Sequence, residues 1–153
     1  ILVELNPTAA PLSVNNFLKY VQNGFYSNTL FHRVIAGFVV QGGGYTPGFA
    51  VQPGVTAAIA LESNNGLPNL RGTMAMARTS DPNSATSQFY FNLVDNPALN
   101  YQDANNPGYA VFGKIVQGLD VMDAIGAVQT NTLNGVPDVP VTDVVVKTAV
   151  RIQ

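Results

Sequence analysis

The chain has 153 residues, 46% of them hydrophobic and only 10% charged, with a net charge of −2 at pH 7. That is enough apolar mass for one sizeable core and too little polarity for a disordered chain, so a single domain over residues 1–153 is expected. The seven Lys and Arg are scattered, no apolar run approaches the length of a membrane helix, and there is no cysteine; a basic nucleic-acid face, a spanning helix, disulfides and thiol chemistry are excluded.

In chain order, Ile1 to Leu5 reads as a strand and Asn6 to Pro11 as a break. Ser13 is placed to cap a helix whose apolar residues Val14, Phe17, Leu18 and Val21 recur at helical spacing, with Gly24 at its end. Phe31 to Ile35 and Phe38 to Gln41 read as two strands joined at Ala36-Gly37 and closed by Gly42-Gly43-Gly44. Alternation then puts Phe31, Arg33 and Ile35 on one face, and His32 and Val34 on the other. Residues 42 to 71 read as a long loop, with Ile59 and Leu61 in a short strand; a loop of that length is often functional, here as a wall of a groove. Gly72 to Ala77 and Gln88 to Leu93 are predicted strands around the turn-rich Thr79 to Ser84. Asp95 to Gly108 is a loop, Tyr109 to Val116 a strand, Gly118 to Ile125 a short helix, 126 to 142 a loop, and Asp143 to Ile152 a closing strand. Many short strands with two helices and no repeat suggest an antiparallel barrel.

The chemistry-bearing residues are few. His32 is the only histidine, and there is no Gly-x-Ser-x-Gly elbow. One His, no Cys and scattered acids give no metal motif. A glycosidase pair is not excluded by counting nine acids, but none sits in an evident site motif. His32 reads as a hydrogen-bonded structural residue. What remains is Arg33, a permanent cation on an otherwise apolar strand face, costly there unless paired or working.

The run Phe31-His32-Arg33-Val34-Ile35-Ala36-Gly37-Phe38-Val39-Val40-Gln41-Gly42-Gly43-Gly44 resembles the FHRVIPGFMxQGGD signature of cyclophilins, the peptidyl-prolyl cis–trans isomerases. Gly72-Thr73-Met74-Ala75-Met76-Ala77-Arg78 with Ser87-Gln88-Phe89-Tyr90-Phe91 is similar to a second block of that family. Tyr109 to Val116 with Gly118-Leu119-Asp120-Val121 is similar to a third. The order and spacing span nearly the whole chain, and Met76-Ala77-Arg78-Thr79 resembles the bacterial branch.

The resemblance implies a mainly β fold: a closed eight-stranded antiparallel barrel with two capping helices, its first strand incomplete because family members usually begin with another strand, and its substrate on the outside. It implies rotation about X–Pro bonds in protein substrates, assisting folding, with no cofactor and no metal. Arg33, Gln41 and Phe38 take the catalytic positions: the guanidinium donor, its positioning partner and the floor of the proline pocket. Val39, Tyr90 and Leu99 line that pocket, Ala77, Arg78, Thr79 and Gln88 flank the groove for residues before proline, and Tyr109 stands where many members have histidine. The departures are Ala36 for proline, expected to loosen the turn; Val39 for methionine; Gly44 for aspartate, removing a loop anchor; and Ala98 near the position of an aromatic that helps hold cyclosporin. Partners implied are proline-containing peptides and unfolded proteins, with weak cyclosporin binding, a monomeric state, and neither nucleic acid nor membrane. Few charges, abundant Asn and Thr, and no Cys lean toward a periplasmic or exported location, with a cytoplasmic one as the alternative. The rival function is a proline-peptide binding module or chaperone without turnover; an ordinary hydrolase is a more distant third.

Overall fold

Period-two alternation within glycine-bounded apolar runs builds the structure. In the computed structural model, which describes residues 1–152, the elements follow as β1 (Leu2–Leu5), α1 (Pro11–Gln22), β2 (Thr29–Leu30), β3 (Arg33–Ile35), β4 (Val39–Gly42), β5 (Tyr45–Thr46), β6 (Ala50–Val51), β7 (Thr73–Met76), β8 (Phe89–Asn92), a 3₁₀ turn (Pro97–Leu99), β9 (Val111–Gln117), α2 (Leu119–Gly126), β10 (Thr130–Leu133), β11 (Val136–Pro140) and β12 (Val145–Val146). No helix among the described residues is long and apolar enough to cross a membrane.

The expected closed eight-stranded barrel is not formed. Six strands make one open antiparallel sheet in the order β1-β9-β7-β8-β4-β3, and the other six form three two-stranded sheets, β2 with β12, β5 with β6 and β10 with β11. Closure needs every strand to find a ladder on both sides. Here the edge strand β3 is three residues long, and β11 lies against it without pairing.

Local expectations fail in instructive places. Ser13 does not cap α1: the helix starts at Pro11, whose missing N–H costs nothing there, and Ala10 offers no side-chain bond. Glu62, far along the chain, does the capping instead. Its carboxylate accepts the Leu12 and Ser13 N–H groups at 2.9 and 2.8 Å and the Ser13 hydroxyl at 2.7 Å, a favourable anion at a helix N-terminus. Gly24 does end the helix region in the left-handed conformation, at φ 68. The expected loop 126–142 contains the β10–β11 hairpin, turned at Asn134-Gly135 with φ 49 and 82, the two-residue signature of a primed turn. The expected strand 143–152 shrinks to Val145 and Val146, which pair with Leu30 and Thr29. Within 42–71, β5 and β6 form a hairpin, while Ile59 makes one isolated bridge to Ala85. The Ala36-Gly37 turn is closed by the Phe38 N–H, which donates to the Ile35 carbonyl at 3.0 Å, with Gly37 at φ 69.

The main sheet has an apolar layer on each face. On one side Val34, Val40, Met74, Met76, Phe89, Phe91 and Phe112 join Val14, Tyr20 and Val21 of α1 in the main core. The other side carries a smaller cluster: Val39, Ala75, Tyr90 and Val111 are buried, and Phe38, Leu67, Ala77, Leu99 and Tyr109 pack against them half-exposed.

Candidate functional site

Strand register assembles the second face. Arg33 is opposite Gln41, Gln41 opposite Tyr90, Tyr90 opposite Ala75, and Ala75 opposite Val111. Opposed residues share a face, so a guanidinium, an amide and a phenol stand in one row across three strands before the row turns aliphatic at Ala75 and Val111. The four-residue turn at Ala36-Gly37 sets this register, because it forces the Arg33–Gln41 match eight residues apart.

The polar end of the row is a short relay. Arg33 Nη1 donates to Gln41 Oε1 at 3.4 Å, and Gln41 Nε2 donates to Gln88 Oε1 at 2.9 Å. The first bond is long and weak, which leaves most of the fork's five donors unspent. Among the described residues the one salt bridge joins Arg71 to Asp123, so Arg33 meets no carboxylate although it is half-buried. Gly44 has a role that its substitution for aspartate concealed: a Cβ there would lie 2.5 Å from Gln88 Nε2, so the glycine vacates the space in which Gln88 meets Gln41.

The apolar end is a partly exposed cluster, the candidate proline notch. Phe38, Leu99 and Tyr109 are half-exposed, Tyr109 packs edge-on to Tyr90 at 5.8 Å, and Val39 is buried. Of the three groove residues, Ala77 N–H donates to the Gln88 carbonyl and Thr79 N–H to Ser84 Oγ, at 3.0 and 2.9 Å; among the described residues, the Arg78 N–H meets no acceptor. Ala98 is exposed. No three His, Asp or Glu side chains gather among the described residues as a metal site needs. A cavity of about 400 Å³ between the end of α1 and Gln52 to Thr56 contains none of the expected site residues.

A family profile described as cyclophilin-type peptidyl-prolyl cis-trans isomerase matches residues 1–151. The chain belongs to the cyclophilins. It is 50% identical over 151 residues to the peptidyl-prolyl cis-trans isomerase cyp18 of Streptomyces antibioticus, covering 97% of this chain and 90% of that one. It is 48% identical over 149 residues to peptidyl-prolyl cis-trans isomerase B of Escherichia coli K12, covering 96% and 90%. Among solved structures, a Cryptosporidium parvum cyclophilin crystallised in the presence of the dipeptide Ala-Pro superposes with a TM-score of 0.79 at 25% identity, covering 99% and 92%. The cyclophilin resemblance and its bacterial character stand; the barrel does not.

Sequence reasoning missed what holds this cyclophilin's notch from behind. Asn69, fully buried, accepts the Tyr90 hydroxyl at 2.7 Å and an Asn92 N–H at 3.1 Å, and donates to the Leu99 carbonyl at 3.1 Å. Asn96 donates to the Phe38 carbonyl at 3.1 Å and to Asn92 Oδ1 at 2.8 Å. Three notch residues thus hang on one buried amide network. Burial also pushes the Tyr90 phenol far above its usual range, with the neighbouring Tyr109 adding to the shift, so it acts only as a neutral donor.

His32 departs from expectation. It is buried, its ring lies 4.6 Å from that of Tyr45, and Nδ1 has no hydrogen-bond partner. Burial and then the adjacent Arg33 cation lower its pKa from 6.5 to about 4. The unfolded chain therefore takes up this proton first, so stability is lost as pH falls from about 6.5 to about 4, at up to about 1.4 kcal/mol per unit. Urea unfolding at pH 7 and pH 4.5 is expected to show that loss in the native chain and a smaller one in His32→Gln; equal losses contradict it.

Proposed function

We propose that the Arg33 guanidinium catalyses rotation about X–Pro bonds whose proline ring sits in the notch of Phe38, Val39, Tyr90, Leu99 and Tyr109. Isomerase activity is that of the family: the chain is a peptidyl-prolyl cis–trans isomerase, and assistance to folding follows from the reaction. The observation that carries the assignment of roles is an unpaired, half-buried guanidinium on the same sheet face as an apolar notch.

Rotation needs no nucleophile, base or metal. The barrier of about 18–20 kcal/mol comes from amide resonance, and uncatalysed X–Pro exchange takes tens to hundreds of seconds. Millisecond turnover requires about 5.5–7 kcal/mol off the barrier. As the bond twists, its nitrogen regains a lone pair and becomes an acceptor that the planar amide lacks. A fixed donor aimed there stabilises the twisted state more than the substrate. Arg33 is such a donor and does not titrate. Gln41, restrained by Gln88, holds the fork; the Arg78 N–H offers a bond to substrate backbone, beside Ala77 and Thr79; the Tyr109 hydroxyl is the candidate donor to the carbonyl side. A module that only held proline would have no use for an unpaired cation.

In a protease-coupled assay on a short Ala-Pro peptide, Phe38→Ala is expected to raise KM by about tenfold or more, as a buried ring contact worth roughly 1.5–3 kcal/mol is lost; an unchanged KM contradicts its place in the notch. Proline-containing peptides and unfolded chains are the partners, and the Ala-Pro dipeptide of the solved cyclophilin supports that class. Weak cyclosporin binding is expected from exposed Ala98 and short Val39, and an inhibition titration of nanomolar potency contradicts it. A monomer is expected by gel filtration. A periplasmic or exported location is favoured by composition over a cytoplasmic one, and fractionation of the source cells distinguishes them.

A further inference from the structure

We propose that the cavity beside the proline notch is an anion-reading subsite, in which Arg78 recognises a carboxylate or phosphate carried by the substrate chain next to its proline. This rests on the notch holding proline. Tyr109 and the Ala98–Leu99 pair connect the two sites: Tyr109 and Leu99 belong to the notch, while Tyr109 and Ala98 also line a cavity of about 300 Å³ with Arg78, Ser80, Gln102 and Asn106. A side chain one or two residues from a seated proline is within reach of that space.

The cation in it is tied down on several sides. Arg78 Nε and Nη2 donate to the Gly108 carbonyl at 3.2 and 2.7 Å, and Nη1 donates to the Thr79 carbonyl at 2.9 Å. The guanidinium carbon lies 4.6 Å from the centre of the Tyr109 ring, a cation–π seat. Those bonds use three of the five donors and leave two. None of the bonds is to a carboxylate, and no acidic residue lines the cavity. The two acids in the bordering loops serve their own turns: Asp81 accepts the Asn83 N–H at 2.8 Å, and Asp103 accepts the Asn105 and Asn106 N–H groups, both at 2.8 Å. Backbone carbonyls and an aromatic ring therefore hold a full positive charge in place without neutralising it. Such a fork pays little ordering cost on meeting an anion. Ser80, Gln102 and Asn106 add neutral hydrogen-bonding groups of the kind a carboxylate or phosphate oxygen accepts from.

The test is kcat/KM on matched short peptides carrying Glu, Gln or Lys, and phosphoserine or serine, at each position flanking proline. With the native enzyme, Glu over Gln is expected to give a ratio of about fivefold to twentyfold at one flank at least, shrinking with added salt. Phosphoserine over serine is expected to equal or exceed it if phosphate is the better fit, and to fall below it if the cavity is made for carboxylate; both support an anion subsite. Arg78→Gln is expected to bring both ratios near one, Arg78→Lys to retain part of them, and Arg78→Glu to favour the Lys peptide. Ratios within twofold at every position in the native enzyme, or ratios that survive in Arg78→Gln, overturn the proposal. If the native enzyme turns over the Gln peptides without an acid preference, only the subsite fails; if Phe38→Ala leaves KM unchanged on those peptides, the notch itself fails.

Discussion

Arg33→Ala is expected to lower kcat/KM on a short X–Pro peptide by about 10²–10³, the cost of removing one aimed donor from a site where charge or lone-pair density develops. The fold should scarcely notice. The guanidinium makes one long bond to Gln41 and no ion pair, so the urea midpoint should correspond to a change within about 0.5 kcal/mol. Arg33→Lys is expected to recover little, because an ammonium is a compact point charge and cannot present the planar fork that Gln41 holds. An alanine variant retaining more than a tenth of native kcat/KM, correctly folded by circular dichroism, contradicts the role. So does a large stability loss, since the activity change would then have a structural cause.

The second large effect is on stability. Asn69→Leu keeps the branched shape and the number of heavy atoms, though it is bulkier, and leaves the Tyr90 hydroxyl, an Asn92 N–H and the Leu99 carbonyl without their buried partner. Each orphaned group costs about 1–3 kcal/mol, and the loss expected from urea unfolding is about 3–5 kcal/mol, allowing for partial relaxation. Because Tyr90 and Leu99 are notch residues, the KM for peptide should rise in the same variant under conditions where it is still folded. A loss below about 1 kcal/mol would mean that water or neighbouring amides such as Asn100 replace the bonds, and that the network does not hold the notch.

Arg33 and Gln41 were legible in the sequence because their meeting is a local matter. A four-residue turn with Gly37 in the left-handed region sets the pairing of two strands, and period-two alternation then brings the two side chains to one face. Phe38, Val39 and Tyr90 are implied by the cyclophilin resemblance, and strand pairing places Val39 two residues from Gln41, the partner of Tyr90. The Asn network was not legible, because all but one of its bonds join residues 19 to 58 apart, and asparagine in a Gly- and Pro-rich stretch reads as turn chemistry rather than as a buried scaffold. Glu62 at the start of α1 escaped for the same reason, lying 49 residues from Ser13.

The strands show a different limit. Valine-rich 143–152 has the intrinsic preference for a strand, but only Val145 and Val146 find a partner edge. Asn134-Gly135 between apolar flanks is itself a hairpin signal, and the expected loop there is the β10–β11 hairpin. Closure is less local still: it depends on whether edge strands reach one another, and neither composition nor motif order reports that β3 ends after three residues or that β2 turns to β12. The Arg33–Gln41–Tyr90 row needs no barrel, because every residue in it is fixed by pairings inside one open sheet.

The most direct test separates holding from turning. Exchange NMR with a saturating X–Pro peptide gives the cis–trans rate on the enzyme and the peptide Kd as independent quantities. With Arg33 acting on the twisted amide, Arg33→Ala should slow the bound rate by about 100-fold or more while Kd stays within about threefold of native. A bound rate equal to the native one, with only the affinity weakened, would show that the guanidinium grips the peptide and does not lower the barrier.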